Sequence, residues 1–137
     1  VPVVSERQRR FLAAVHPDVL RRFTEEGAAA GSRPPVAVAR EAERGLALRR
    51  EYRRGGTLVG ARRASQLAGR SVVSVETLRR MVAYFERHEI DLQAPAARPG
   101  HPGYPSAGRI AWLLWGGDSG RAWARRTLRA YEQSRKE

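Results

Sequence analysis

Glycine and proline interrupt this chain in a few tight groups, and between those groups the apolar residues recur at the three- and four-residue spacing of amphipathic helices. From Val36 to Arg54 there is one glycine and no proline, and Val38, Ala42, Leu46 and Tyr52 are set among arginines at helical spacing. That pattern predicts a long basic helix stopped by Gly55-Gly56. Thr57 is placed to cap a helix over Leu58 to Ala68, which Gly69 closes. Ser74 then heads the most strongly patterned segment, where Val75, Leu78, Val82 and Phe85 fall at i, i+3, i+7 and i+10. No stretch alternates as a half-buried strand does. The pattern therefore predicts an all-α, single-domain bundle of five or six helices.

The flanks follow the same logic. Ser5-Glu6-Arg7-Gln8 has the form of a capping box and predicts a short helix to about Val15, and Pro17 opens a second that runs to Gly27. Ala28 to Pro35 reads as a linker. Residues 91–107 hold Pro95, Pro99, Gly100, Pro102, Gly103 and Pro105, too many breakers for a regular element, so a long Pro/Gly loop is expected there. Loops of that length inside a domain are usually functional or mobile. Ile110 to Trp115 is nearly all apolar and predicts a short helix at the centre of the core, packed on the Val75 to Phe85 face. Gly116-Gly117 breaks it, and Asp118 is expected to cap a basic helix carrying Trp123, Leu128 and Tyr131. One domain over 1–137 results, with N-terminal short helices and linker over 1–33, the long basic helix and a helical hairpin over 34–90, the loop over 91–107, and C-terminal helices over 108–137. A chain of 137 residues can bury one modest core.

Charge narrows the partner. The net charge is +12, carried by 25 arginines and a single lysine, Lys136. A GC-rich coding background accounts for arginine over lysine, but not for an excess over only 14 acidic residues. That excess points to a polyanion, nucleic acid above all and DNA before RNA, since neutralising phosphates rewards clustered cations. With no cysteine there is no disulfide framework, thiolate nucleophile or thiolate-ligated zinc. No apolar run approaches the ~18 residues of a membrane span, and the first dozen residues lack the apolar core of a signal peptide. No membrane partner is expected, and a cytoplasmic protein fits best.

Two segments carry candidate phosphate chemistry. Gly55-Gly56-Thr57 precedes a helix bearing Arg62 and Arg63, and free helix N–H groups there favour an anion. Arg49, Arg50, Arg53 and Arg54 converge on the same turn. Gly-Gly is equally an ordinary helix stop, and the spacing is not that of a nucleotide-binding Gly-rich loop. The second segment, Gly60 to Tyr84, resembles a helix-turn-helix, with Ala64, Leu67 and Ala68 on the first helix and Glu76, Thr77, Arg79 and Arg80 as base or phosphate readers on the second. Its connection, Gly69 to Val73, is longer than such motifs use, and a plain helical hairpin with a solvated basic face is the alternative. Arg121, Arg125 and Arg126 complete the basic set. Trp112, Trp115 and Trp123 suit core packing better than base stacking, and Tyr104 is the aromatic expected to be exposed.

Catalytic features are sparse. His16, His88 and His101 show no metal-ligand spacing, and Ser106 suits a helix cap. His88, Glu89 and Asp91 form the one constellation that would suit a metal or acid–base pair, although a histidine at a helix C-terminus also simply complements the dipole. No catalytic residue and no cofactor is expected.

Taken together, Ser5 to Phe11, Arg54-Gly55-Gly56-Thr57, Val73 to Met81, Phe85 to Asp91 and the run Gly103-Tyr104-Pro105-Ser106-Ala107-Gly108-Arg109-Ile110-Ala111-Trp112-Leu113-Leu114-Trp115-Gly116-Gly117-Asp118 resemble a family of small, basic, uncharacterised bacteriophage and prophage proteins. The likeness spans most of the chain. It implies a virus-associated origin, hence the bacterial host cytoplasm or a virion, and carries over neither an activity nor a catalytic residue. With the arginine clusters, the expected function is nucleic-acid binding or, alternatively, that of a structural adaptor meeting acidic surfaces of other virion proteins. Oligomeric state is left open.

Overall fold

Three of the helices begin where a hydroxyl side chain meets an orphan backbone N–H, as their sequences require. The Thr57 Oγ1 accepts from the Gly60 N–H at 3.2 Å, Ser74 Oγ from Thr77 at 3.1 Å, and Ser106 Oγ from Arg109 at 3.0 Å. The protein is described by a computed structural model over residues 31–136, so the helices expected before Gly27 lie outside the described residues. Within them run α1 (Val36–Tyr52), α2 (Leu58–Ala68), α3 (Val75–His88), α4 (Ala107–Leu114) and α5 (Gly117–Arg135). The described chain is an all-α single domain.

α4 sits at the centre. Ile110, Trp112 and Leu114 are fully buried, and α4 packs against α1, α2 and α5 as well as α3. The expected contact with the α3 face exists through Phe85, whose ring meets Trp112 edge-on at 4.7 Å, and Tyr84, which stacks on Trp115. Yet the broadest neighbour of α4 is α1, because Gly45 lets the two backbones close. A Cβ at Gly45 would lie 2.7 Å from the Leu114 nitrogen and 2.9 Å from the Leu113 carbonyl carbon, both rigid backbone. Gly45→Ala is therefore expected to destabilise the fold by about 1–3 kcal/mol despite alanine's better helix propensity. A urea midpoint equal to or above wild type would refute that close approach. The second packing layer is α3 on α5, where Trp123 and Ala124 are buried.

Three expectations change on the structure. The segment ahead of α1 is not merely a linker, because Gly31–Ser32 (β1) pairs antiparallel with Val73–Ser74 (β2). Arg70, held at φ +52°, donates from Nε to the Pro34 carbonyl at 2.8 Å and stitches the two together. This explains the long α2–α3 connection: it carries a strand. Residues 91–107 are also more regular than their prolines suggest. Two short 3-10 turns, Glu89–Gln93 and Pro95–Ala97, occupy the first part. The rest is tied to the body by Ser106 N–H to the Ala96 carbonyl at 2.9 Å and Arg109 Nε to the Ala97 carbonyl at 2.9 Å. Its Tyr104–Pro105 peptide is cis, Pro105 is buried, and Tyr104 is half-buried rather than exposed. Finally, Asp118 does not cap α5. Gly116 occupies that position at φ +106°, and Asp118, in the first turn, accepts from Trp112 Nε1 at 2.9 Å. An indole N–H leaving the core needs an acceptor more than the helix end does.

Candidate nucleic-acid interface

The last turn of α1 and the Gly-Gly stop after it build a basic cleft. α1 ends with Arg53 in the left-handed region, its N–H bonded to the Arg49 carbonyl at 2.8 Å, and Gly55 and Gly56 follow at φ +92° and +74°. The glycines are required for space as well as for angle. A Cβ on Gly55 would approach Ile110 Cβ at 2.6 Å, and one on Gly56 would meet Leu114 Cδ1 at 2.4 Å. The turn is thus pressed onto α4, and the four arginines around it are left facing an open cleft of about 490 Å³ lined by Arg49, Arg50, Arg53, Arg54, Gly55 and Gly56.

Two of these arginines are held by backbone carbonyls. Arg49 Nε donates to the Gly55 carbonyl at 3.1 Å. Arg54 donates from Nε and an Nη to the Pro105 carbonyl, the shorter at 2.8 Å, and stacks over the Tyr52 ring at 5.3 Å. Each such bond occupies one or two of five guanidinium donors and leaves the charge uncompensated. None of the four is ion-paired with a carboxylate among the described residues. Arg50 and Arg53 are exposed. Four cations, two of them with fixed stems, and no counter-charge among the described residues make a site for a multiply charged anion.

The remaining expected site residues do not line this cleft. Thr57 caps α2, and Arg62 is exposed on α2. Arg63 instead lies over the Trp115 ring at 5.7 Å and hydrogen-bonds Gln66; burial, then the nearby Arg80 charge, lower its pKa. The helix-turn-helix reading is corrected on two counts. α2 lies on α1 and α3 on α5, with little direct backbone approach between α2 and α3, so the crossed pair that seats a recognition helix is lacking. Thr77 is only 8% exposed and its hydroxyl meets Ser74 Oγ at 3.1 Å, so it reads nothing. Glu76 and Arg80 are exposed but paired at 2.8 Å, and Arg79 lies 4.0 Å from Glu132. Arg121 is mostly buried, over Trp112 at 5.7 Å and paired with Glu89 at 3.1 Å, a structural role rather than a phosphate contact. Arg125 borders a groove between α3 and α5 that also holds Glu86 and Glu132, while Arg126 is exposed. The tryptophans lean to the core as expected: Trp112 and Trp123 are buried and Trp115 is half-buried.

The His88, Glu89 and Asp91 constellation splits. His88 Nδ1 lies 2.9 Å from Asp91 Oδ2, whereas Glu89 turns to Arg121. Among the described residues no three histidine or acidic side chains are grouped to hold a metal ion. The His88–Asp91 pair lies instead in a second cleft of about 460 Å³, which also has Gly56 in its wall, with Tyr84, Ala111 and Trp115. Sequence reading had not singled out Tyr84, although its i+4 spacing to His88 was the available signal. Burial, and secondarily the Asp91 carboxylate, raise the Tyr84 phenol well above its ordinary range. A group so shifted favours folding while it stays protonated, so its contribution is complete below about pH 10 and is lost as pH rises further. Urea denaturation at about pH 9 and about pH 11 should show a fall in stability that Tyr84→Phe reduces; an equal fall in that variant would refute the assignment.

Comparison with known proteins finds no matching family model, curated protein or solved structure. Among the described residues no helix is long and apolar enough to cross a membrane.

Proposed function

We propose that the protein binds nucleic acid, DNA before RNA, by receiving backbone phosphates in the arginine cleft at the end of α1. The observation that carries this reading is the cleft itself, in which four guanidiniums converge without a carboxylate partner among the described residues. Arg54 and Arg49 are anchored and shape it, and Arg50 and Arg53 are exposed to meet phosphates. The net charge of +12 supplies long-range attraction. The contacts are to phosphate, so binding is insensitive to sequence. The likeness to small basic phage and prophage proteins suits a nucleic-acid-associated protein of a viral particle, acting in the host cytoplasm or the virion.

Fluorescence-anisotropy titration of scrambled duplex and single-stranded DNA across a range of salt tests this. Affinity should fall steeply and linearly on a log–log plot against salt. Absence of binding even at low salt would remove the proposal and transfer the cleft to the acidic surface of a partner protein, making the chain a structural adaptor.

A further inference from the structure

An aromatic ring stands at the edge of the arginine cleft. Helical spacing groups Tyr52 with Val38 and Ala42, yet those two are buried while Tyr52 is 41% exposed. It is the last residue of α1, three residues after Arg49 and directly before Arg53, both of which line the cleft. A direct contact agrees with that placement: the guanidinium of Arg54, a third lining residue, lies over the Tyr52 ring at 5.3 Å. That guanidinium is not free to swing away. Its Nε and one Nη both donate to the carbonyl of Pro105, a buried residue, at 3.2 and 2.8 Å. A ring with a fixed plate over one face has few positions left to it, which lowers the entropy lost when a ligand settles on the other. Among the described residues no other ring or guanidinium is stacked on Tyr52, and Arg54 can cover one face only.

An exposed aromatic face backed by a cation is a stacking platform, and its surroundings decide what it stacks. The guanidiniums of Arg49, Arg50, Arg53 and Arg54 draw a polyanion to its edge. A lipid surface offers them charge without flat rings, and an acidic protein segment offers carboxylates with only occasional rings. A nucleic-acid strand carries one flat ring for every phosphate, so a phosphate held beside Arg53 or Arg54 brings a base within one nucleotide of Tyr52. We propose that Tyr52 stacks on an unpaired base of a DNA strand whose phosphates lie in the arginine cleft. The inference rests on the phosphate-binding reading above and adds to it an affinity for unpaired nucleotides beyond their charge. Inside a duplex both faces of a base are taken by its neighbours in the stack, so a base must be unpaired, or extruded, to meet the ring.

The test compares a single-stranded oligonucleotide of about 12 nucleotides with an abasic strand of the same length and charge, using the wild type, Tyr52→Ala and Tyr52→Phe. The wild type should bind the intact strand about tenfold more tightly than the abasic one. Tyr52→Ala should lower that ratio to about one by weakening the intact strand alone, and Tyr52→Phe, which keeps the ring face, should retain it. Tyr52 is exposed, so both variants should fold, and a thermal melt shows it. Equal affinity of the wild type for the two strands, with both binding in a salt-dependent way, overturns the stacking platform while leaving the phosphate cleft standing. A ratio that survives in Tyr52→Ala also overturns it. So does an equal loss on both strands in that variant, which would reduce Tyr52 to a support for Arg54. Binding of neither strand at low salt removes the phosphate reading and this inference together.

Discussion

Replacing both Arg50 and Arg53 with alanine is expected to weaken binding of a scrambled DNA duplex by about 60-fold at 0.1 M salt and to flatten the log–log salt slope by about two. The figure follows from counterion release. Each phosphate neutralised contributes about 0.9 to the slope, so a contact with no affinity of its own at 1 M salt is worth about eightfold at 0.1 M. Arg50 and Arg53 are the pair to choose because they are exposed and no hydrogen bond from their side chains holds the fold among the described residues, whereas Arg49 and Arg54 also tie down the turn and the Pro105 loop. The folded state should be little affected. An unchanged slope would place the phosphates elsewhere on the surface. Arg63→Ala is the informative contrast: its guanidinium covers Trp115, so its loss should act on packing before it acts on affinity.

The largest effect on stability is expected from Trp112→Ala, at about 3–5 kcal/mol. Trp112 is fully buried, meets Phe85 edge-on, carries Arg121 over its ring and donates its indole N–H to Asp118. Truncation leaves a cavity in the middle of α4 and strips Asp118 and Arg121 of a partner at once. For a domain of about 100 residues that loss lowers the melting temperature by more than about 12 °C and removes a large share of a typical total stability of about 5–15 kcal/mol. Trp112→Phe should cost less, since the ring contact with Phe85 is largely kept. A small change in the alanine variant, measured by urea denaturation, would mean that α4 is not the centre of the core.

The helices were legible because their boundaries are written locally. Thr57, Ser74 and Ser106 each sit three residues before the N–H they satisfy, and Gly55-Gly56 ends α1 where a side chain would collide with α4. The convergence of Arg49, Arg50, Arg53 and Arg54 on that turn was legible for the same reason: one helical turn and its stop place all four. What the sequence did not disclose depends on partners far along the chain. Arg54 finds the Pro105 carbonyl, Arg70 finds Pro34, and Arg121 finds Trp112 and Glu89, and no periodicity announces such meetings. Thr77 misled in another way. A polar residue in the first turn of a basic helix looks like a reader, but Ser74 draws its hydroxyl inward. Asp118 is similar, a cap by position that the Trp112 indole claims first.

The place of α4 in the core has a consequence for synthesis. α1 can pack on α2 once both are made, but α4, its other broad neighbour, comes some sixty residues later in the chain, and α5, on which α3 packs, later still. A nascent chain that has reached only the Pro/Gly segment therefore holds basic amphipathic helices whose faces for α4 and α5 are still uncovered. The core is completed only when the α4 segment has left the ribosome, and until then the arginine-rich α1 keeps its α4 face open beside the most abundant polyanion in the cell, ribosomal RNA.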